Sequence, residues 1–224
     1  MSSRLSWLEV LTAILTGVDI FDGQWAQSAA EIGIALDFIF PAKPQGSKQK
    51  LGHNLYDDHY TTDLTSLSNN HPGRLHVTDA SSNICVCAAC SPVTPSTRII
   101  HSTMDLQPDE GGELRPAYTK AYIHHLLHTH EMTAHSLLVM HNLTILDNFF
   151  RGIRASMEQD VEQFSKEMEV FIETYEDTTG ALFKEAEEMW KTVELARGKG
   201  RVSREKAELA STQEVLLSNV EDVQ

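Results

Sequence analysis

The alternation of apolar and polar positions divides the chain into an α/β beginning, a polar middle and a helical second half. Ser6-Trp7-Leu8-Glu9 has the form of a capping box, and it opens a run in which Leu8, Leu11, Ile14 and Leu15 recur at helical spacing. Gly17 stands where such a helix would end. The apolar run Val18-Asp19-Ile20-Phe21 predicts a short strand, with Asp22 and Gly23 directly after it. A helix, a glycine, a buried strand and a polar residue at the strand's carboxyl end make a unit of a parallel α/β barrel. A second β-rich run, Ile34 to Phe40, is closed by Pro41.

The pattern then weakens. Lys43 to Asp58 reads as a polar loop without fixed structure, Tyr60 to Leu64 as a short strand, and Asn69 to Gly73 as a turn before Leu75-His76-Val77. From Ala117 the spacing is helical, predicting helices over Ala117 to His128 and Glu131 to Met157. The second carries a stripe of Leu137, Leu138, His141, Ile145, Phe149, Ile153 and Met157. Glu158 to Gln224 is acidic and helix-prone. Phe164, Met168, Phe171, Ile172 and Tyr175 make one amphipathic stretch, and Phe183, Met189, Trp190, Val193 and Leu195 another. Gly198-Lys199-Gly200-Arg201 interrupts before a last charged helix, and the whole tail reads as solvated helices that pack weakly.

With 224 residues the chain is long enough for one sizeable domain with an appendage. Its formal net charge of −14 disfavours a broad nucleic-acid-binding face, since phosphate contacts need Lys and Arg. More than half of the excess acid lies after Ala155. No apolar run approaches the ~18 residues of a membrane span, and the N-terminus has no secretory pattern.

The candidate chemistry sits in one short stretch. Cys85-Val86-Cys87-Ala88-Ala89-Cys90 is a C-x-C-x-x-C cluster that uses all three cysteines of the protein. The odd number argues against a disulfide framework and for a reducing compartment, so the chain reads as cytoplasmic. The plain alternative is three buried free thiols. Three thiolates with one imidazole would make a closed tetrahedral Zn²⁺ site of the structural type. The helices that follow offer His124, His125, His128, His130, His135 and His141, and spacing does not choose among them. His124 and His128, four residues apart, read as packing or solvated residues in preference to a second metal site.

Three segments together resemble the tRNA-guanine transglycosylases. Tyr118-Thr119-Lys120-Ala121-Tyr122-Ile123-His124-His125-Leu126-Leu127 is similar to the family's helix after its C-x-C-x-x-C, and His141-Asn142 to its later H-N. Gly17-Val18-Asp19-Ile20-Phe21-Asp22 is similar to its G-V-D-x-F-D strand. The resemblance spans Leu8 to Met157, with gaps at Lys43 to Asp58 and Ser91 to Leu114. It implies one structural Zn²⁺ held by Cys85, Cys87, Cys90 and His141. It also implies an α/β fold: the C-terminal part of a (β/α)8 TIM-type barrel, with a zinc-binding subdomain and C-terminal helices. The divisions expected are a partial barrel segment at 1–42, a zinc-binding subdomain and helix layer at 43–157 with a loop insertion at 91–114, and an acidic helical tail at 158–224.

Asp22 falls on the position of the carboxylate that, in catalytic members, attacks the ribose and forms a covalent ribosyl-enzyme intermediate. Catalytic members follow it with an arginine-containing loop that holds the anticodon RNA. Here Gly23 to Gly33 has no Arg or Lys, and Glu31 stands where a phosphate-binding arginine is expected. The strands carrying the family's general base and purine pocket are also absent from this sequence. The resemblance is therefore to the family's non-catalytic accessory branch, with no catalytic residue expected. It implies a heterodimer with a catalytic queuine tRNA-ribosyltransferase subunit, tRNA met through that complex, and exchange of guanine for queuine at the wobble position. DNA is not an expected partner. The accessory branch allows a place in the cytoplasm or peripherally at the mitochondrial outer membrane. Two other readings stand beside this one: an active transglycosylase with Asp22 as nucleophile, and a zinc-binding interaction module with no RNA role.

Overall fold

The computed structural model of the chain describes residues 7–43, 46–68, 85–91, 118–175 and 180–196. Met1–Glu187 group into one compact unit and Glu188–Gln224 into a second. Helix α1 runs Trp7–Leu15 and ends where Gly17 was expected to stop it. Gly17 adopts φ +94°, its N–H donates to the Ile14 carbonyl, and the Val18 N–H donates to the Ala13 carbonyl, each at 3.0 Å. Those two bonds are a Schellman motif, which a glycine without a Cβ forms at no steric cost. The buried face is Trp7, Val10 and Leu11, whereas Leu8 and Leu15 of the expected face are exposed. Trp7 sets this rotation, with ring centroids 4.4 Å from both Trp25 and Phe38 and 5.0 Å from Phe149.

Val18 to Phe21 is not a strand. The segment has no ladder partner among the described residues, and Ile20 is 88% exposed. A strand needs a neighbour to take up its backbone groups, so the expected barrel unit is not assembled in the described residues. Their one sheet is antiparallel: β1, Ile34–Leu36, pairs with β2, Gly52–Asn54. Strand β2 corrects the reading of Lys43 to Asp58 as an unstructured loop, and Leu51, Leu55 and Tyr56 around it are buried. Tyr60 to Leu64 is also not the strand expected. Asp57 accepts a bond from the His59 N–H at 3.0 Å and starts a 3-10 helix over Asp58–Thr62.

Helix α2, Gln24–Glu31, packs its small residues Ala26, Ala29 and Ala30 inward. Helices α3, Lys120–His128, and α4, Met132–Gln159, lie close to the spans that periodicity predicts. Leu137, Leu138, His141, Ile145, Phe149 and Ile153 of the expected stripe are buried, and Met157 at its end is exposed. Helix α5, Val161–Thr174, departs from the expectation of a weakly packed tail: Phe164 and Phe171 are fully buried. Residues 180–196 are helical too, with Leu182, Phe183 and Ala186 buried. The predicted turn at Asn69 to Gly73, the strand at Leu75 to Val77, most of the 91–114 insertion and the last charged helix lie outside the described residues.

Just past β1, the side chains of residues 37–40 divide between two environments. Phe38 and Phe40 enter an aromatic core with Phe149 (5.4 and 5.9 Å between centroids), Phe164 (5.7 Å from Phe40) and Phe171 (6.3 and 5.9 Å). Asp37 turns the other way and is buried. It accepts from the Ser68 hydroxyl at 2.6 Å and bonds His53 Nε2 at 2.9 Å, and His53 Nδ1 meets the Tyr60 hydroxyl at 2.8 Å. The 37–41 segment can lie against α4 only because residue 152 is glycine: a Cβ there would stand 1.9 Å from the Phe40 carbonyl oxygen. Mid-helix alanine is favoured over glycine by about 1 kcal/mol on propensity alone. Gly152→Ala is nonetheless expected to destabilise the fold by about 1–3 kcal/mol in denaturant melts, because backbone must move to admit the methyl. A neutral or stabilised Gly152→Ala protein would contradict the close approach.

Candidate metal centre

The cysteine cluster folds into a tight turn around its middle sulfur. The Cys90 N–H lies 3.2 Å from both the Cys87 carbonyl and Cys87 Sγ, and the Ser91 N–H donates to the same carbonyl at 2.9 Å. The Tyr118 N–H donates to the Ala89 carbonyl at 3.1 Å and ties the turn to the start of α3. All three cysteines are free and buried.

His141 reaches the cluster from the third turn of α4 and is fully buried. Its Nε2 lies 2.9 Å from the Leu36 carbonyl, which can only accept, so Nε2 carries a proton. Nδ1 then faces the sulfurs, 3.5 Å from Cys87 Sγ and 3.6 Å from Cys90 Sγ. Around a tetrahedral ion with bonds of about 2.3 Å to sulfur and about 2.0–2.1 Å to nitrogen, those two donors lie about 3.5 Å apart. The backbone carbonyl fixes the tautomer and ring orientation as outer partners of metal-bound histidines do. Cys85, Cys87, Cys90 and His141 are thus a buried group able to bind a metal ion, with their ligand atoms all within 4.8 Å of one another.

Asn142 holds the surface that His141 leans on. Gly33 and Asp37 direct their backbone bonds towards the β2 side, to Leu55 and Leu51. Ile34 and Leu36 therefore present theirs at the other edge. There Asn142 Oδ1 accepts from the Leu36 N–H at 2.9 Å, and Asn142 Nδ2 donates to the Ile34 carbonyl at 2.9 Å and the Ala26 carbonyl at 3.2 Å. One carboxamide closes a sheet edge as a neighbouring strand would. The adjacent His141 takes the one remaining acceptor, the Leu36 carbonyl, which explains why the two residues occur as a pair.

The protons of the cluster are unevenly held. Burial, the largest single influence, would lower the His141 pKa, but the negative charge on Cys90 and the hydrogen bonds to Cys87 and Cys90 together outweigh it and hold the imidazole well above its usual value. Hydrogen bonds from Cys85 and Cys87, with His141 alongside, hold Cys90 well below the thiol range. Hydrogen bonds with Cys87 and Cys90, together with burial, push the Cys85 thiol up. A metal entering the site has to displace the protons on the remaining thiols and on Nδ1, so its affinity falls as pH falls.

The other residues singled out in the sequence are placed differently. Asp22 is exposed at the head of α2, where its carboxylate accepts from the Gln24 N–H at 3.2 Å, and it is not part of the cysteine group. His125 is exposed, and His135 bonds the Ala30 carbonyl through Nδ1 at 3.0 Å. Thr119 caps α3 by accepting from the Tyr122 N–H at 3.2 Å. The buried Lys120 ammonium bonds the Thr65 hydroxyl at 3.2 Å, 3.7 Å from Asp63. His124 and His128 lie with Asp58 in a second group of possible ligands, and nothing in the sequence marked Asp58. Asn142→Ala is expected to cost about 3 kcal/mol in chemical denaturation with metal bound, since it leaves two buried backbone groups of β1, the Leu36 N–H and the Ile34 carbonyl, without their partner. A loss below about 1 kcal/mol would show that Asn142 is not what closes the edge of β1.

The family model described as queuine tRNA-ribosyltransferase matches residues 5–177 of the chain. The queuine tRNA-ribosyltransferase accessory subunit 2 of Schizosaccharomyces pombe is 29% identical over 171 residues, 75% of this chain and 30% of that protein. The protein of that name from Ixodes scapularis is 31% identical over 150 residues, 67% and 30% of the two chains. The one from Homo sapiens is 28% identical over 168 residues, 68% and 34%. The chain spans about a third of the length of these relatives. With the family model covering most of its length, and the cysteine turn, α3 and the His141-Asn142 pair all within the matched span, the chain belongs to the queuine tRNA-ribosyltransferase family.

Proposed function

We propose that the chain acts as a non-catalytic part of a queuine tRNA-ribosyltransferase complex. It pairs with a catalytic subunit in a heterodimer and supports the exchange of guanine for queuine at the wobble position of tRNA. One observation carries this reading beyond the family likeness. The segment after Asp22, which in catalytic members is a basic RNA-holding loop, is helix α2, with its alanines turned into the core and no Arg or Lys on it. Its one strong charge, Glu31, is exposed and takes a bond from Gln27 at 3.3 Å. Such a surface repels a phosphate backbone. Asp22 accepts from the Gln24 N–H at the head of α2, and residues 23–33 after it offer no cation to grip a tRNA. RNA binding then falls to the partner subunit, consistent with the acidic balance of this chain.

The ion we assign to the cysteine centre is a single structural Zn²⁺ held by Cys85, Cys87, Cys90 and His141. Borderline-soft donors, S–N spacings of tetrahedral co-ligands and complete burial support that choice. Bound there, Zn²⁺ supplies a crosslink between the cysteine turn, α4 and, through the Leu36 carbonyl, β1. The likeness of Gly17 to Asp22 to the family's barrel strand supports placing 1–42 in a (β/α)8 barrel, with the exposed Val18 to Phe21 run as an edge for neighbouring strands. The zinc subdomain at 43–157 and tail at 158–224 remain our divisions. Among the described residues no helix is long and apolar enough to cross a membrane. The reduced thiols support a cytoplasmic place.

Two experiments test this. Purified without added metal, the chain is expected to hold about one Zn²⁺ in the cysteine centre, lost from it in Cys87→Ser and His141→Ala, kept in His125→Ala, and released progressively as the buffer is acidified. Thiolate-bound metal retained by both ligand variants would contradict the assignment. In the second, the chain is mixed with a catalytic subunit of the family, and incorporation of labelled base into tRNA is followed. The chain alone should incorporate none, and Asp22→Ala should leave the rate of the mixture unchanged. A covalent tRNA adduct formed by the isolated chain and abolished by Asp22→Ala would overturn the non-catalytic reading in favour of an active transglycosylase. Failure to associate with any catalytic subunit would favour an interaction module without an RNA role.

A further inference from the structure

We infer that Asp58, His124 and His128 form a second, open site for a divalent transition-metal ion, with Zn²⁺ as its occupant. His124 and His128 lie one turn apart on the same face of α3, their ring centroids 4.1 Å apart. Asp58, the first residue of the 3-10 helix, brings a carboxylate to the same point, and the three ligand atoms lie within 4.8 Å of one another. None of these residues belongs to the cysteine centre.

The hydrogen bonds around the two imidazoles prepare them as ligands. His124 Nδ1 lies 2.9 Å from the Leu55 carbonyl, and His128 Nδ1 lies 3.0 Å from the His124 carbonyl. A carbonyl cannot donate, so both Nδ1 atoms carry the proton, and the lone pair of each neutral ring is on Nε2. This is the same device that orients His141, with the two ring nitrogens exchanged in role. Among the described residues, His124 Nε2 meets only Thr61 Oγ1, at a long 3.4 Å. The Thr61 hydroxyl already donates to the Asp58 carbonyl and has no second proton to give. His124 is only 7% exposed, so bulk water does not serve that lone pair freely. Two neutral imidazoles one helical turn apart with a nearby carboxylate are a donor set for Zn²⁺ and similar divalent ions. With three protein ligands, Asp58 exposed and His128 half-buried, one coordination position is left facing solvent. That distinguishes it from the closed cysteine centre.

The test is a titration of the chelator-stripped full chain with Co²⁺, whose spectrum separates the two donor sets. The first equivalent should give the intense near-ultraviolet charge transfer of a thiolate complex. The second should add only weak visible bands of nitrogen and oxygen ligation. Elemental analysis after Zn²⁺ loading and desalting should read two ions per chain. His128→Ala and Asp58→Asn should each lower that to one and leave the thiolate band intact, and Asp58 is exposed, so its variant folds. Cys87→Ser should remove the thiolate band and spare the second set. His59→Ala, next to Asp58 but outside the proposed set, should change nothing. The inference is overturned if the native chain takes one ion only, if the second ion survives His128→Ala, or if it binds only at millimolar concentration.

Discussion

The bond from His141 Nε2 to the Leu36 carbonyl is the contact on which the rest of the architecture turns. It joins a helix in the second half of the chain to a strand in the first, across 105 residues of sequence. By fixing which imidazole nitrogen is protonated, it also decides which one faces the cysteines. Its neighbour Asn142 pairs the rest of that strand edge, so position and tautomer are set by two consecutive residues on one helical turn. A Cys₃His centre built this way needs no extra segment to orient its histidine. The fold surrounding β1 performs that role.

The aromatic core serves the same end from the other direction. Strand β1 must lie at a fixed height along α4 for the Leu36 carbonyl to meet His141. That height is set by Phe38 and Phe40 against Phe149, and by the backbone approach at Gly152. Helix α5 completes the packing, since Phe171 touches both Phe38 and Phe40, and the Tyr175 hydroxyl just after it accepts from the Ile39 N–H at 3.2 Å. The acidic second half is thus partly core. On α5, Glu162, Lys166, Glu169 and Glu173 are exposed while Phe164 and Phe171 are buried, which is how an acidic helix can be buried along one stripe. The exposed acids of α5 and the absence of cations on α2 fit the proposed role, in which tRNA is left to a partner.

How much of this was legible in the sequence differs from element to element. Gly17, the cysteine spacing and the stripe on α4 are local patterns with one strong interpretation each, and the structure bears out the helix stop, the grouping of thiols with His141 and the helix. Strand β2 was hidden because Gly52-His53-Asn54 has no β-former; it is held by the ladder to β1 and by buried Leu51 and Leu55, neither visible locally. Tyr60-Thr61-Thr62 has strand composition, yet the Asp57 side chain initiates a 3-10 turn in front of it. Composition also misled for α5, whose Phe164 and Phe171 find partners more than a hundred residues away in the chain. The rotation of α1 was misjudged because Leu8 and Leu15 look more apolar than Trp7, while Trp7 has the larger surface to bury. For the grouping of Asp58 with His124 and His128 the sequence offered only the histidine spacing. The tautomers that matter are set by the carbonyls of Leu55 and His124.

X-ray absorption at the zinc edge of chain loaded with one equivalent of metal tests the central claim most directly. The account predicts a shell of three sulfurs at about 2.3 Å and one imidazole nitrogen at about 2.0–2.1 Å, with the nitrogen lost in His141→Ala. A shell without an imidazole in the native chain, or one unchanged by that substitution, would contradict it.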